Sequence, residues 1–142
     1  MKKKQNSKEK LSSFYKKYLQ TLVSVASKID IKNLDKAVNL IFNTIKKNNY
    51  IYVCGNGGSA AIANHYICDF FKQLSKNTDL KARIRSLNSD NYLISAISND
   101  ISHDQVFKIQ AERYIEKKDI LILISSSGNS KNIKEVLKLC KI

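Results

Sequence analysis

Residues 50–70, "YIYVCGNGGSAAIANHYICDF", restrict the possible folds more than any other stretch of the chain. A short apolar run ends in GNGGS and passes at once into residues with a helical pattern. Gly55, Gly57 and Gly58 make up all but one of the chain's 4 glycines. A strand that must turn straight into a helix is the first half of a βα unit, and repeated βα units lay their strands parallel. Glycine at such a turn permits positive φ and close approach of another group to the backbone. The N–H groups of the first helical turn, backed by the positive end of the helix dipole, then face the gap. Asn56 and Ser59 add side-chain hydrogen-bond partners. The spacing is not GxGxxG and no P-loop lysine follows, which disfavours a dinucleotide or a nucleoside triphosphate.

A second stretch repeats the arrangement. "ILILI" leads into "SSSGNS", residues 125–130, again before a helical segment. Ser125, Ser126, Ser127 and Ser130 crowd around Gly128 and Asn129. Ligands of parallel sheets bind outside the carboxyl ends of the strands. Hydroxyls and backbone N–H groups, with no cationic side chain in the loop, suit a phosphate monoester.

Around these turns the periodicity predicts helices over 8–28 and 32–48, the second capped by Asp30. It predicts strands over 50–55, 82–87 and 119–126, and helices over 58–75, 91–98, 104–116 and from Ser130 onward. The expected fold is α/β, three-layer αβα with a parallel sheet, preceded by two N-terminal helices. Residues 1–48 form the helical segment and 49–142 the α/β domain. Three strands make a small sheet for this class, so the expectation is the front part of a longer protein, or a sheet completed by a partner chain.

The net charge of +13, from 25 Lys and Arg against 12 Asp and Glu, raises the question of nucleic acid. Only Arg83, Arg85 and Arg113 are arginines, and beyond "KKK" at 2–4 the lysines are scattered, so no phosphate-tracking stripe results. "MKKKQNSKEK" lacks the apolar stretch of a signal peptide. No apolar run is long enough for a membrane span. Cys54, Cys68 and Cys140 are odd in number and form no CxxC pair, and they read as reduced, mostly buried thiols of a cytoplasmic protein.

Within the helix after GNGGS, Ala63, Tyr66, Ile67, Phe70 and Leu74 share the face expected to pack on the sheet. His65, Asp69 and Lys72 fall opposite, as neighbours one turn apart. An imidazole and a carboxylate there can act as a proton-transfer pair, as two of the ligands of a metal, or as a plain surface pair.

"CGNGGSAAIANH", "SNDISHDQVF" and "ISSSGNSKNI" together resemble the sugar isomerase (SIS) domain family, in particular its phosphoheptose isomerase group. The likeness runs from the N-terminal helices to Ile142. It implies a flavodoxin-like α/β fold, a homotetramer with active sites between subunits, and a sugar-phosphate ligand. The implied reaction converts sedoheptulose 7-phosphate to D-glycero-D-manno-heptose 7-phosphate for lipopolysaccharide or surface-polysaccharide synthesis. By resemblance, Ser59, Ser125, Ser126, Ser127 and Ser130 hold the phosphate, with Gly57 and Gly58 in the same turn. Asn56 lies beside the sugar, and Asp90, Asn99 and Asp100 surround the site. His65 matches a family His, and Asp69 matches the catalytic acid–base Glu. No cofactor is required, although some members bind zinc through the positions of His65 and Asp69 with further ligands near the C-terminus.

Two departures accompany the likeness. The family Glu is Asp here, and the family's second catalytic His, on a late helix, has no counterpart among these 142 residues. The rival reading is a non-catalytic SIS sugar-phosphate sensor or protein-binding regulator.

Overall fold

The computed structural model describes residues 10–140. Its sheet is built around β1 (Tyr50–Gly55), flanked on one side by β2 (Arg83–Ser86) and on the other by β3 (Ile120–Ile124), all parallel. Ile51 pairs with Ile84 in β2 and with Ile120 in β3. β1 carries no charged residue and is apolar on both faces, which suits the centre. Ile51, Val53 and Cys54 are wholly buried and Tyr52 nearly so. β2 carries exposed Arg83 and Arg85 and suits an edge, while every residue of β3 is half-buried.

The described chain divides into two compact units between Val38 and Asn39. The first contains α1 (Leu11–Ala26) and the start of α2 (Ile31–Lys46). Asp30 caps α2 as expected, its Oδ1 accepting the backbone N–H of Asn33 at 3.2 Å. α1 buries no residue, and Leu11, Phe14, Tyr15, Tyr18, Leu22 and Val23 are all exposed.

In the second unit, α3 (Gly58–Asp69) packs on β1, with Ala63 fully buried and Tyr66, Ile67 and Phe70 half-buried. The expected helix over 58–75 is not uniform. After Asp69 it passes through a π-helical turn, Phe70–Leu74, and ends in the single turn α4 (Ser75–Asn77). On the opposite face lie α5 (Asn91–Asp100), a 3₁₀ turn (His103–Gln105), α6 (Val106–Tyr114) and α7 (Lys131–Leu137). Tyr52 and Cys54 meet Leu87, Ile97, Val106, Phe107, Ala111, Ile133 and Val136 there in one apolar core. Helices on both faces of a parallel sheet give the three-layer α/β architecture read from the sequence.

The thiols correct one expectation. Cys54 is buried, but Cys68 and Cys140 are exposed. Cys68 lies beside Asp69 on the outer face of α3, and Cys140 follows the end of α7.

Candidate functional site

The strand order β2-β1-β3 reverses direction at β1, so β1 and β3 flank the point where a crevice opens at their carboxyl ends. GNGGS leaves β1 there and SSSGNS leaves β3, which brings two turns distant in sequence side by side. In the first, Gly57 adopts φ 53°, a conformation only glycine takes without cost. The N–H of Ser59 donates to the Asn56 carbonyl at 2.9 Å and that of Ala60 to the Gly57 carbonyl at 3.0 Å, closing the first turn of α3.

In the second turn Gly128 has φ 60°. Its N–H donates to Ser125 Oγ at 3.1 Å, and the N–H of Asn129 donates to Ser127 Oγ at 3.1 Å. Each hydroxyl thus accepts from its own loop and keeps its hydrogen for a ligand. Ser126 is exposed, and Ser130 occupies the cap position of α7 without capping it through its side chain. The loop itself carries no cation, but the Lys134 ammonium is hydrogen-bonded to Asn129 Oδ1. Lys134 stands four residues beyond Ser130, one helical turn into α7, and folds back.

The two turns are fastened together. Asn56 and Asn132 exchange amide hydrogen bonds, Asn56 Nδ2 donating at 2.8 Å and Asn132 Nδ2 at 2.9 Å. Asn88, at the end of β2, holds Gly55 through both backbone groups. Asn88 and Asn132 do not stand out in the sequence, where the only signal is an Asn close to the carboxyl end of a predicted strand.

His65 and Asp69 sit on the outer face of α3, with Nε2 3.4 Å from Oδ1 and both side chains more than half exposed (71% and 57%). Asp69 is the last α-helical residue before the π turn, a local irregularity frequent at functional sites. Asp90 caps α5, accepting the N–H of Leu93 at 2.9 Å, and lines a cleft of about 480 Å³ with Arg85, Tyr92 and Tyr114. Asn99 donates to Asp100 at 2.8 Å at the far end of α5. Among the described residues none of these three hydrogen-bonds to either turn. Among them, too, no group of three or more His, Cys, Asp and Glu comes together. His65 and Asp69 supply two of the four donors a zinc ion usually takes.

Residues 14–141 match the SIS domain. The chain belongs to the SIS domain family. It is 36% identical over 132 residues to the phosphoheptose isomerase of Aliarcobacter butzleri, covering 92% of this chain and 69% of that protein. It is 40% identical to phosphoheptose isomerase 1 of Campylobacter jejuni, covering 82% of this chain and 62% of that one. Among solved structures it resembles the phosphoheptose isomerase of Neisseria gonorrhoeae with a TM-score of 0.76 at 31% identity, over 89% of this chain and 65% of that one. A phosphoheptose isomerase from Francisella tularensis gives 0.79 at 25% identity, over 91% and 66%. The SIS chain thus spans about two thirds of the length of these relatives. No helix among its described residues is long and apolar enough to cross a membrane.

Proposed function

We propose that this SIS chain carries the sugar-phosphate site of a phosphoheptose isomerase and interconverts sedoheptulose 7-phosphate with D-glycero-D-manno-heptose 7-phosphate. The product would feed heptose synthesis for lipopolysaccharide or other surface polysaccharide, in the cytoplasm. The observation that carries the reading is the pair of Gly/Ser turns at adjacent strand ends, tied by Asn56 and Asn132. Hydroxyl hydrogens on Ser125 and Ser127, whose oxygens already accept within the loop, and nearby Lys134 are a donor set for a phosphate monoester. Ser59, Ser126 and Ser130 complete it, with Gly57 and Gly58 leaving room for the ligand.

Isomerisation of an aldose and a ketose moves a proton between neighbouring carbons through an enediol, and needs a base over one face of the sugar. Asp69 is that base and His65, 3.4 Å away, its partner for the oxygens. Holding the phosphate in the serine turns presents the reacting carbons at a set distance. Ten residues of helix separate Ser59 from Asp69, a rise of about 15 Å. The carbonyl carbon of an extended heptose 7-phosphate lies only about 9 Å from its phosphorus. This mismatch favours a site shared between copies, the Asp69 of one chain serving the turns of another. The exposed apolar side chains of α1 support residues 1–48 as the oligomerising segment of a homotetramer.

The test is proton NMR of sedoheptulose 7-phosphate with the protein in D2O. Ligand broadening with deuterium appearing beside the carbonyl is expected. Broadening without exchange would turn the reading to a sugar-phosphate sensor, and no broadening would overturn it.

A further inference from the structure

Beside the two turns runs a chain of side-chain hydrogen bonds that the isomerisation chemistry does not use. Asn132, only 3% exposed, lies in the first turn of α7. Its Oδ1 accepts from Asn56 Nδ2 at 2.8 Å and from the backbone N–H of Ile133 at 3.0 Å. Its Nδ2 donates to Asn56 Oδ1 at 2.9 Å and lies 3.3 Å from Nε2 of His103. On the other side of the ring, Nδ1 lies 3.3 Å from Ser98 Oγ on α5. The backbone N–H of Ile133 cannot turn away, so it dictates which way the Asn132 amide points, and the NH2 faces His103. Nε2 must therefore accept. With Nε2 as acceptor, the ring hydrogen belongs on Nδ1, placed to be donated to Ser98 Oγ.

We propose that His103 is a positioning residue for the sugar-phosphate site: as a neutral acceptor it holds the Asn132–Asn56 amide pair, and through it the separation of the GNGGS and SSSGNS turns. The inference rests on the sugar-phosphate reading for its consequence, but not for the clamp itself. Protonation would set a donor on Nε2 against the donor on Asn132. Turning the amide over would then oppose its NH2 to the N–H of Ile133. Either way the clamp loosens, and ligand affinity falls with pH as the ring charges. The charged groups around the 3₁₀ turn are Asp104 on the turn itself, Asp100 on α5, Lys108 and Glu112 on α6, and Lys131 and Glu135 on α7. Lys131 engages Asp104 and Lys108 engages Glu112, each at 3.9 Å, and among the described residues no carboxylate pairs with the His103 ring.

The experiment follows the side-chain NH2 resonances of Asn56 and Asn132 in the isotope-labelled full chain between about pH 8 and pH 5. Titration with sedoheptulose 7-phosphate is repeated for the wild type, His103→Phe and His103→Gln. Both amides should shift with the same midpoint as the His103 ring. His103→Phe should abolish that titration and weaken ligand binding on the order of tenfold, the value of one lost hydrogen bond. His103→Gln, whose Oε1 can accept, should recover most of the affinity and lose its pH dependence. Amide resonances indifferent to the His103 titration would overturn the clamp. So would a Phe variant that binds as tightly as the wild type. If the wild type binds no sugar phosphate, the functional reading fails, and the ligand-free amide titration alone upholds or overturns the clamp.

Discussion

Asn88 grips Gly55 by both of its backbone groups: Oδ1 accepts the Gly55 N–H at 3.0 Å, and Nδ2 donates to the Gly55 carbonyl at 2.9 Å. Its own N–H donates to Ser86 Oγ at 3.0 Å, so the side chain is braced where β2 ends. All these groups are buried, which makes each unmade bond costly. Asn88→Ala should destabilise the fold by about 2–4 kcal/mol, the loss of two hydrogen bonds to buried partners. Asn88→Asp should be no better, because its carboxylate faces the Gly55 carbonyl with no hydrogen to offer. Urea denaturation of both variants checks this, and a wild-type midpoint for either would show that water replaces the side chain.

Gly55 and Gly58 should respond oppositely to alanine. A Cβ on Gly55 would lie 2.6 Å from Ser59 Cβ and 2.8 Å from the Ser59 carbonyl, inside atoms that belong to a helix backbone. Gly55→Ala is expected to cost about 3 kcal/mol, because that backbone must move. A Cβ on Gly58 meets open space, at a helical position where alanine is preferred. Gly58→Ala should therefore leave Tm unchanged or raise it, while weakening phosphate binding where the methyl intrudes. Thermal melts and ligand titrations on the two variants separate these effects.

The His65–Asp69 pair is too exposed to matter much for stability. Asp69→Asn should leave Tm and sugar-phosphate affinity close to wild type and eliminate deuterium exchange. Asp69→Glu advances the carboxylate by about 1.5 Å. It should raise the exchange rate by up to about 100-fold if reach limits the natural side chain. Loss of binding in Asp69→Asn would remove Asp69 from the role of base.

Burial, aided by the nearby Cys140 thiol, pushes the Cys54 thiol up to about 12 from an ordinary value of 9.0. The folded chain therefore holds a proton that the unfolded chain releases. The associated stability is intact below pH 9.0 and falls as pH rises towards about 12, by at most about 1.4 kcal/mol per pH unit. Cys54→Ala should flatten that alkaline slope in denaturation curves. A thiol reagent at neutral pH should label exposed Cys68 and Cys140 rapidly and Cys54 only on unfolding.

The elements were legible because their signals are local. β1 spans residues 50–55 as its apolar run predicts, and β3 lies within the predicted 119–126. Glycine marks both turns because φ near 53° and 60° is disfavoured for most side chains. The π turn after Asp69 was not legible, since helical periodicity in 58–75 reads the same whether one residue is accommodated by widening a turn or not. The exposure of Cys68 escaped for a similar reason: a small apolar side chain on a helix is compatible with either face.

By itself the sequence determined two strands that end in Gly/Ser turns, helices after each, and a His–Asp pair one helical turn apart. Those follow from backbone sterics and from hydrophobic spacing within a few residues. Only the tertiary structure decided that Asn56 meets Asn132, 76 residues away, and that His103 completes the contact. It likewise decided that Asn88 reaches back 33 residues to Gly55. Such bonds exist because sheet order sets β1 between β2 and β3, leaving the polar groups at three strand ends buried and in need of partners. Which asparagine supplies each partner depends on distances across the sheet, which residue spacing along the chain does not encode.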